Sequence, residues 1–222
     1  MSSKNYLSIY AKSFNWAGFF LPKKTYKNCS YLYDFCRVVD NIADDEGEIE
    51  IKKIKFQKFV SDFKQKNFED PVIQNMWNII HEFNISLEII YDLFDGIESD
   101  IKQNVKIDTR KDLLIYCYRV AGTVGLMMAK ILKVSKKQSL KSAIDLGIAM
   151  QLTNISRDVI EDSKKNRSYI NGNFEEINST IKLADTFYKN SFYSIREIPL
   201  SFRFSILVAR RIYRKIGYKI LK

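Results

Sequence analysis

An all-α fold is predicted by three features of the chain. Among 222 residues there are only eight glycines and three prolines, too little turn chemistry for many short strands. Apolar residues recur at helical spacing in successive stretches. The segment from Ala143 to Ile155 is apolar over most of its circumference, the pattern of a helix buried within a core. The length suits one domain with a sizeable interior, and the hydrophobic fraction of 46% is ordinary for a globular chain.

Residues from about Lys4 to Phe20 carry Tyr6, Tyr10, Phe14, Trp16, Phe19 and Phe20, which predicts a packed N-terminal helix ended by Leu21-Pro22. A second helix is expected from Thr25 to about Asp45, with Gly47 beyond its end. Leu32, Phe35, Val39 and Ile42 belong to its apolar stripe, while Arg37, Asp40 and Asp44 share the opposite face. Asp40 and Asp44 are i,i+4 neighbours about 6 Å apart at Cβ and repel one another in an isolated helix. A solvated face and a cation site both answer that description. Glu48 to Lys66 reads as a basic amphipathic helix, and Asp70-Pro71 as a capped helix start. His81, the sole histidine, falls near the end of that helix as a surface or packing residue. Ser86 to Asp100 is a capped, strongly acidic helix.

A helix from about Thr109 to Leu132 contains Gly122 and Gly125, each costing roughly 1 kcal/mol against alanine. Close helix contact would explain them, and so would room for a ligand chain beside a kink. Ser135 and Gln138 have the spacing of a capping box that would start a long helix running through Asp162. Its end, QLTNISRDVIED (151–162), puts Gln151, Asn154, Asp158 and Asp162 within a stripe of roughly 80°. Two carboxylates and two amides on such a helix are costly to desolvate unless something cationic binds them. Lys164 to Tyr169 forms a basic loop suited to covering an anionic ligand. Phe174 to Lys222 reads as two helices broken near Pro199, the last basic and amphipathic: a packed terminal helix or a membrane anchor.

Cys29, Cys36 and Cys117 have no CxxC spacing and are too few for a disulfide framework, which fits a reducing cytosol. The N-terminus lacks a signal-peptide apolar region, and no apolar run reaches the roughly 18 residues of a spanning helix, so a cytoplasmic protein is expected. The formal charge of +10 fits solvated lysine-rich faces, an anionic membrane surface, a phosphorylated substrate or nucleic acid. No zinc-ligand spacing, RNP-like motif or Gly-rich phosphate loop supports the last, and nucleic acid is not expected as a partner.

If the two Asp-x-x-x-Asp helices face each other, four carboxylates and the Asn154 amide supply hard oxygen ligands. Such a set favours Mg²⁺, with Mn²⁺ as a substitute, over zinc or iron. A di-iron bundle would need Glu-x-x-His pairs, and Asn78 precedes His81 at that spacing. Carboxylate-held Mg²⁺ completes its shell with water and phosphate oxygens, and Arg37 and Arg157 could grip a diphosphate. The reaction class is metal-assisted departure of diphosphate. The 15 Phe, 13 Tyr and 2 Trp could line an apolar cavity that stabilises a carbocation and excludes water.

CRVVDNIAD (36–44), YRVAGTVG (118–125) and QLTNISRDVIED (151–162), with KSF (12–14), LP (21–22) and DGIESD (95–100), resemble the squalene/phytoene synthase family in order and spacing. The resemblance runs from about Lys12 to Tyr169, and weakly around Ala209 to Tyr213. It implies the all-α isoprenoid synthase bundle around a central cavity, as one domain over residues 1–222 shortened at its C-terminus. It implies head-to-head condensation of two prenyl diphosphates through a cyclopropyl intermediate, in carotenoid biosynthesis. Asp40, Asp44, Asp158 and Asp162 would be catalytic and, with Asn154, would hold Mg²⁺. Arg37, Gln151, Arg157, Ser13 and Tyr10 would contact substrate, and Tyr169 would sit over the site. The expected activity is that of a bacterial-type phytoene synthase acting on two geranylgeranyl diphosphates without NADPH, in a monomer loosely associated with membranes. The alternative is a squalene, dehydrosqualene or presqualene diphosphate synthase using farnesyl diphosphate, and the motifs do not separate C15 from C20. A non-catalytic relative is disfavoured because both acidic motifs are intact. Tyr10-Ala11 stands where many members have His-Ser, and Asn171 where a proline is common.

Overall fold

Helix boundaries in the computed structural model, which describes residues 21–222, follow local chemistry closely. Pro22 precedes α1 (Lys23–Asp44), and α2 (Ile49–Lys64) follows a short turn. The Asp70 carboxylate accepts the Val72 N–H at 2.8 Å to open α3 (Pro71–Phe83), which closes on Asn84 in the left-handed region at φ 48°. Ser86 caps α4 (Leu87–Glu98), Thr109 caps α5 (Arg110–Cys117) and Asn173 caps α9 (Phe174–Phe192). After a 3₁₀ turn at Tyr193–Glu197, Pro199 leads into α10 (Leu200–Ile220).

Three local features depart from expectation. First, the helix begun by α5 does not stay regular: it widens into a π turn at Tyr118–Gly122, where the Thr123 N–H reaches the Tyr118 carbonyl, and resumes as α6 (Thr123–Ile131). Second, the Ser135/Gln138 capping box does not form. Lys136 stands at the cap of α7 (Lys137–Arg157) with no side-chain cap bond, held instead by its ion pair to Glu197. Third, this long helix does not run unbroken through Asp162. Asp158 leaves helical geometry at φ −100° and ψ 13°, and α8 (Val159–Lys164) follows. The Arg157 guanidinium meets both Asp158 oxygens at 2.6 Å. Adjacent side chains on a regular helix diverge, so this two-point grip goes with the break.

One element has no precursor in the sequence pattern: a two-residue parallel bridge between β1 (Val105–Lys106) and β2 (Arg167–Ser168). The continuous stretch Arg110–Ile131 is, by length and composition, apolar enough to cross a membrane, with mean hydropathy 1.2, contrary to the expectation that no run reaches that length. Its apolar character has a local use, because Val120, Ala121, Val124, Gly125 and Met128 line the central cavity.

The core has two parts. In one, Phe35 of α1 lies 5.5–6.0 Å from the rings of Phe59, Phe63 and Phe94, tying α1 to α2 and α4. In the other, Leu152 and Ile155 of α7 cluster with Tyr169, Ala184 and Tyr188. His81 stacks on Trp77 at 5.6 Å on the surface, as expected of a packing histidine.

The interior glycines answer to close packing. A Cβ on Gly125 would sit 2.3 Å from the Ala143 carbonyl oxygen, and one on Gly147 would sit 2.2 Å from that of Ala121. The π turn and α6 therefore meet α7 backbone to backbone, and the same residues also border the cavity. Gly147→Ala is expected to lower unfolding free energy by about 1–3 kcal/mol, the usual cost of overpacking. Urea denaturation checks this, and an unchanged midpoint would mean the helices are not in such contact.

Candidate functional site

The two acidic stretches converge. α1 brings Arg37, Asp40 and Asp44; the end of α7 and the start of α8 bring Gln151, Asn154, Asp158 and Asp162. Asp40 and Asp162 both interact electrostatically with the same two groups, Arg167 and Asp100. The β1–β2 bridge delivers Arg167, whose side chain is 9% exposed. Its Nη1 donates to Asp44 Oδ1 at 2.6 Å, and its Nη2 to the carbonyls of Ala43 at 3.0 Å and Asp100 at 3.4 Å. Lys165 adds a second cation 3.3 Å from Asp44.

Each acidic pair is split in character. Burial, then the neighbouring Asp44 charge, pushes the Asp40 carboxyl up to about 6, despite Arg37 at 2.7 Å. Burial, then Asp158, likewise pushes Asp162 up to about 6. Asp44 moves the other way: burial would raise it, but the hydrogen bond and charge of Arg167, with Lys165, hold it below the usual carboxylate range. The site thus combines two carboxylates already neutralised by arginine with two that lack enough positive charge.

Behind Arg167 lies a buried triangle. Tyr116 and Tyr169 each donate a hydroxyl to Asp100 at 2.7 Å, their oxygens are 3.0 Å apart and their rings stack at 4.7 Å. Burial raises the Asp100 carboxyl. Tyr169, expected over the site, is 5% exposed with its hydroxyl committed to Asp100, so it is a wall residue. The expectations for Ser13 and Tyr10 lie outside the described residues.

An apolar cavity of about 260 Å³ leads away from this polar end. Its α7 wall runs from Asn154 through Met150, Gly147 and Ala143 to Ser139. Those positions span about 22 Å at the helical rise. A narrower cleft bordered by Arg37, Asp40 and Tyr116 shares Tyr33, Cys36, Val120 and Gln151 with the cavity and connects it to the charged end.

The donors suit a hard divalent cation that also takes oxygens from a ligand. The Asn154 Oδ1 is buried with no hydrogen-bond partner among the described residues, while its Nδ2 lies 3.4 Å from the Gln151 carbonyl oxygen. A buried orphan carbonyl is costly, and a cation or a bound donor would satisfy it. Among the described residues no three His, Cys, Asp or Glu side chains form a ready-made cage. That is the pattern of Mg²⁺ sites, which use one or two carboxylates plus water and phosphate rather than an all-protein cage.

Sequence reasoning missed Arg167 as the link, reading it as one cation in a basic loop. It also passed over Asp100 and Tyr116, although DGIESD and the tyrosine before Cys117 were visible. The two-residue bridge that brings Arg167 to Asp100 leaves no periodic signal.

Comparison with known proteins gives a consistent picture. The sequence model of the family described as "Squalene/phytoene synthase" matches residues 7–172. A phytoene synthase from Pseudescherichia vulneris is 28% identical over 243 residues, covering 95% of this chain and 78% of that protein. A 4,4'-diapophytoene synthase from Staphylococcus haemolyticus is 32% identical over 193 residues, covering 81% and 67%. Among solved structures, a dehydrosqualene synthase superposes with a TM-score of 0.75 at 27% identity, covering 96% of this chain and 82% of that one. A squalene synthase from Alicyclobacillus acidocaldarius reaches 0.81 at 18% identity, covering 96% and 89%, a likeness of fold.

The shifted carboxyls set a pH response. Asp40 and Asp162 titrate near 6 when folded, against about 4 for an unfolded aspartate. The folded state therefore takes up protons first, and stability rises as pH falls through 6. Asp44 lies low, and hydrogen bonds from Arg214, Lys189 and Tyr218 outweigh burial to hold Asp185 at about 2. Their contribution is lost below about pH 4. Thermal unfolding in EDTA should show a Tm maximum between about pH 4 and 6; a steady fall in Tm from pH 8 to 5 would contradict it.

Proposed function

We propose, on the premise that this chain belongs to the squalene/phytoene synthase family, that it is a prenyltransferase joining two prenyl diphosphates head to head. Its fold is the isoprenoid synthase helical bundle. The observation that carries the reading is the junction of a charged mouth, built by Asp40, Asp44, Asp158 and Asp162, with a long apolar cavity beside α7. A diphosphate bound to a prenyl chain has that same division.

Each residue has a part that follows from its place. Arg37 and Gln151 border the cleft between mouth and cavity, where a diphosphate oxygen would need donors. Arg157 stands beside Asp158 and can exchange that carboxylate for a diphosphate. Arg167 and Lys165 neutralise Asp44 and keep the mouth from being uniformly anionic. Mg²⁺, or Mn²⁺ in its place, held by Asp40, Asp44, Asn154, Asp158 and Asp162, would draw charge onto the leaving diphosphate. The apolar walls keep water from a cationic chain, and the ring faces of Tyr33 and Tyr213 border its path.

The finer reading is condensation of two geranylgeranyl diphosphates to phytoene, with a role in carotenoid biosynthesis. An extended carbon chain advances about 1.2 Å per bond, so four isoprene units reach about 19 Å and three about 14 Å. The wall of about 22 Å accommodates the longer chain. The diapophytoene and dehydrosqualene synthases among the relatives favour farnesyl diphosphate as the second reading. Phytoene formation ends in proton loss, so NADPH is not required. The chain is proposed to act as a monomer in the cytoplasm, loosely associated with membranes.

Purified protein with Mg²⁺ and geranylgeranyl or farnesyl diphosphate, each with and without NADPH, tests both readings by mass analysis of the extracted hydrocarbon. C40 phytoene without NADPH is expected; C30 product alone would overturn the first reading. Asp158→Asn should reduce turnover by roughly 100-fold with unchanged far-UV circular dichroism, and full activity in that variant would refute the assigned mouth.

A further inference from the structure

We propose that the connection between α9 and α10 is a docking surface for an anionic lipid bilayer. Leu200 and Tyr193 are the two most exposed large apolar side chains among the described residues, at 77% and 74%. Phe192 and Phe204 join them, also exposed. The rings of Phe192 and Tyr193 are 5.9 Å apart, and Leu200 and Phe204 lie one turn apart on one face of α10. Single exposed apolar residues are normal on any surface. Four within residues 192–204 make a patch that calls for a partner.

The surroundings indicate which partner. Tyr193 borders a surface groove whose charged side chains are Lys136, Lys141, Lys189 and Arg196 against Asp145 and Glu197. Lys136 and Arg196 share Glu197, and Lys189 pairs with Asp185 at 3.0 Å, so the carboxylates are already matched. Arg211 and Lys215 are exposed farther along α10, within a chain of formal charge +10. Aromatic and aliphatic side chains projecting from a cationic rim suit an anionic interface, where the apolar groups enter the acyl boundary and the cations meet lipid phosphates. A nucleic acid would use the cations and leave Leu200 and Phe204 in water.

The inner face of the same connection gives the position its meaning. Ser194, Ile195, Ile198 and Ile206 line the apolar cavity at the end remote from the acidic mouth. A single layer of chain thus separates the cavity from the lipid-facing residues, a short path for an apolar substrate or product. This last step rests on the prenyl-transfer reading, whereas the docking itself does not.

Sedimentation of the full chain with phosphatidylcholine vesicles, with and without phosphatidylglycerol, tests the surface. Wild type is expected to bind the phosphatidylglycerol vesicles and to be released by salt. Tyr193→Glu combined with Leu200→Glu should lower binding roughly tenfold or more. Ile54→Glu, at an equally apolar site 66% exposed on α2, should leave it intact. Circular dichroism of all three should coincide. Equal binding by wild type and the double variant overturns the proposal. So does failure of wild type to bind, including the case in which the double variant instead splits a dimer in analytical ultracentrifugation. Turnover of detergent-dispersed substrate, measured in parallel, reports on the reaction alone: a wild type that binds vesicles but turns over no prenyl diphosphate refutes the reaction and leaves the surface standing.

Discussion

The Arg167 guanidinium, buried and bonded to Asp44 and to the carbonyls of Ala43 and Asp100, joins the parts of the molecule that otherwise lie far apart in sequence. It links the end of α1 to the segment after α4 and, through β2, to the chain that leaves α8. A buried cation is tolerable only when its donors are used, and here five N–H groups face a carboxylate and two carbonyls. Asp100, Tyr116 and Tyr169 are arranged around the same cation, so the wall of the site and the charge balance at its mouth are one structure.

That balance explains why two of the four acidic residues are displaced upward and Asp44 downward. Arginine serves Asp44 at close range, whereas Asp40 and Asp162 have more burial and like charge than compensation. The excess is suited to recruiting a divalent cation together with an anionic ligand, and less suited to holding a metal permanently. The unpaired Asn154 carbonyl oxygen adds to the same demand from the α7 side.

Most helices were legible because their boundaries are chemical: Asp70-Pro71, Ser86, Thr109 and Asn173 each supply a cap, and apolar stripes fix the buried faces. The acidic stretches were legible for a related reason, since two like charges one turn apart demand an explanation. What could not be read was tertiary. Ser135 and Gln138 have the right spacing for a capping box, but Lys136 is claimed by Glu197 from another part of the chain. Asp158 was assigned to a continuous helix because nothing local marks the break that accompanies its pairing with Arg157. Arg167 becomes central only through a bridge of two residues, too short for any period to register.

The π turn at Tyr118–Gly122 sets the phase of everything after it. A π turn holds one more residue than the α-helical turn it replaces. Removing a residue there would restore regular winding and rotate α6 by about 100° relative to α5. Val124, Gly125 and Met128 would then leave the cavity wall, and Gly125 would no longer oppose Ala143. The five residues of the turn act as a rotational offset between two halves of one helix: α5 presents Tyr116 to Asp100, and α6 presents its small and apolar face to α7. Length in this segment is therefore constrained more tightly than composition, and a single deletion would be felt at both ends of the cavity.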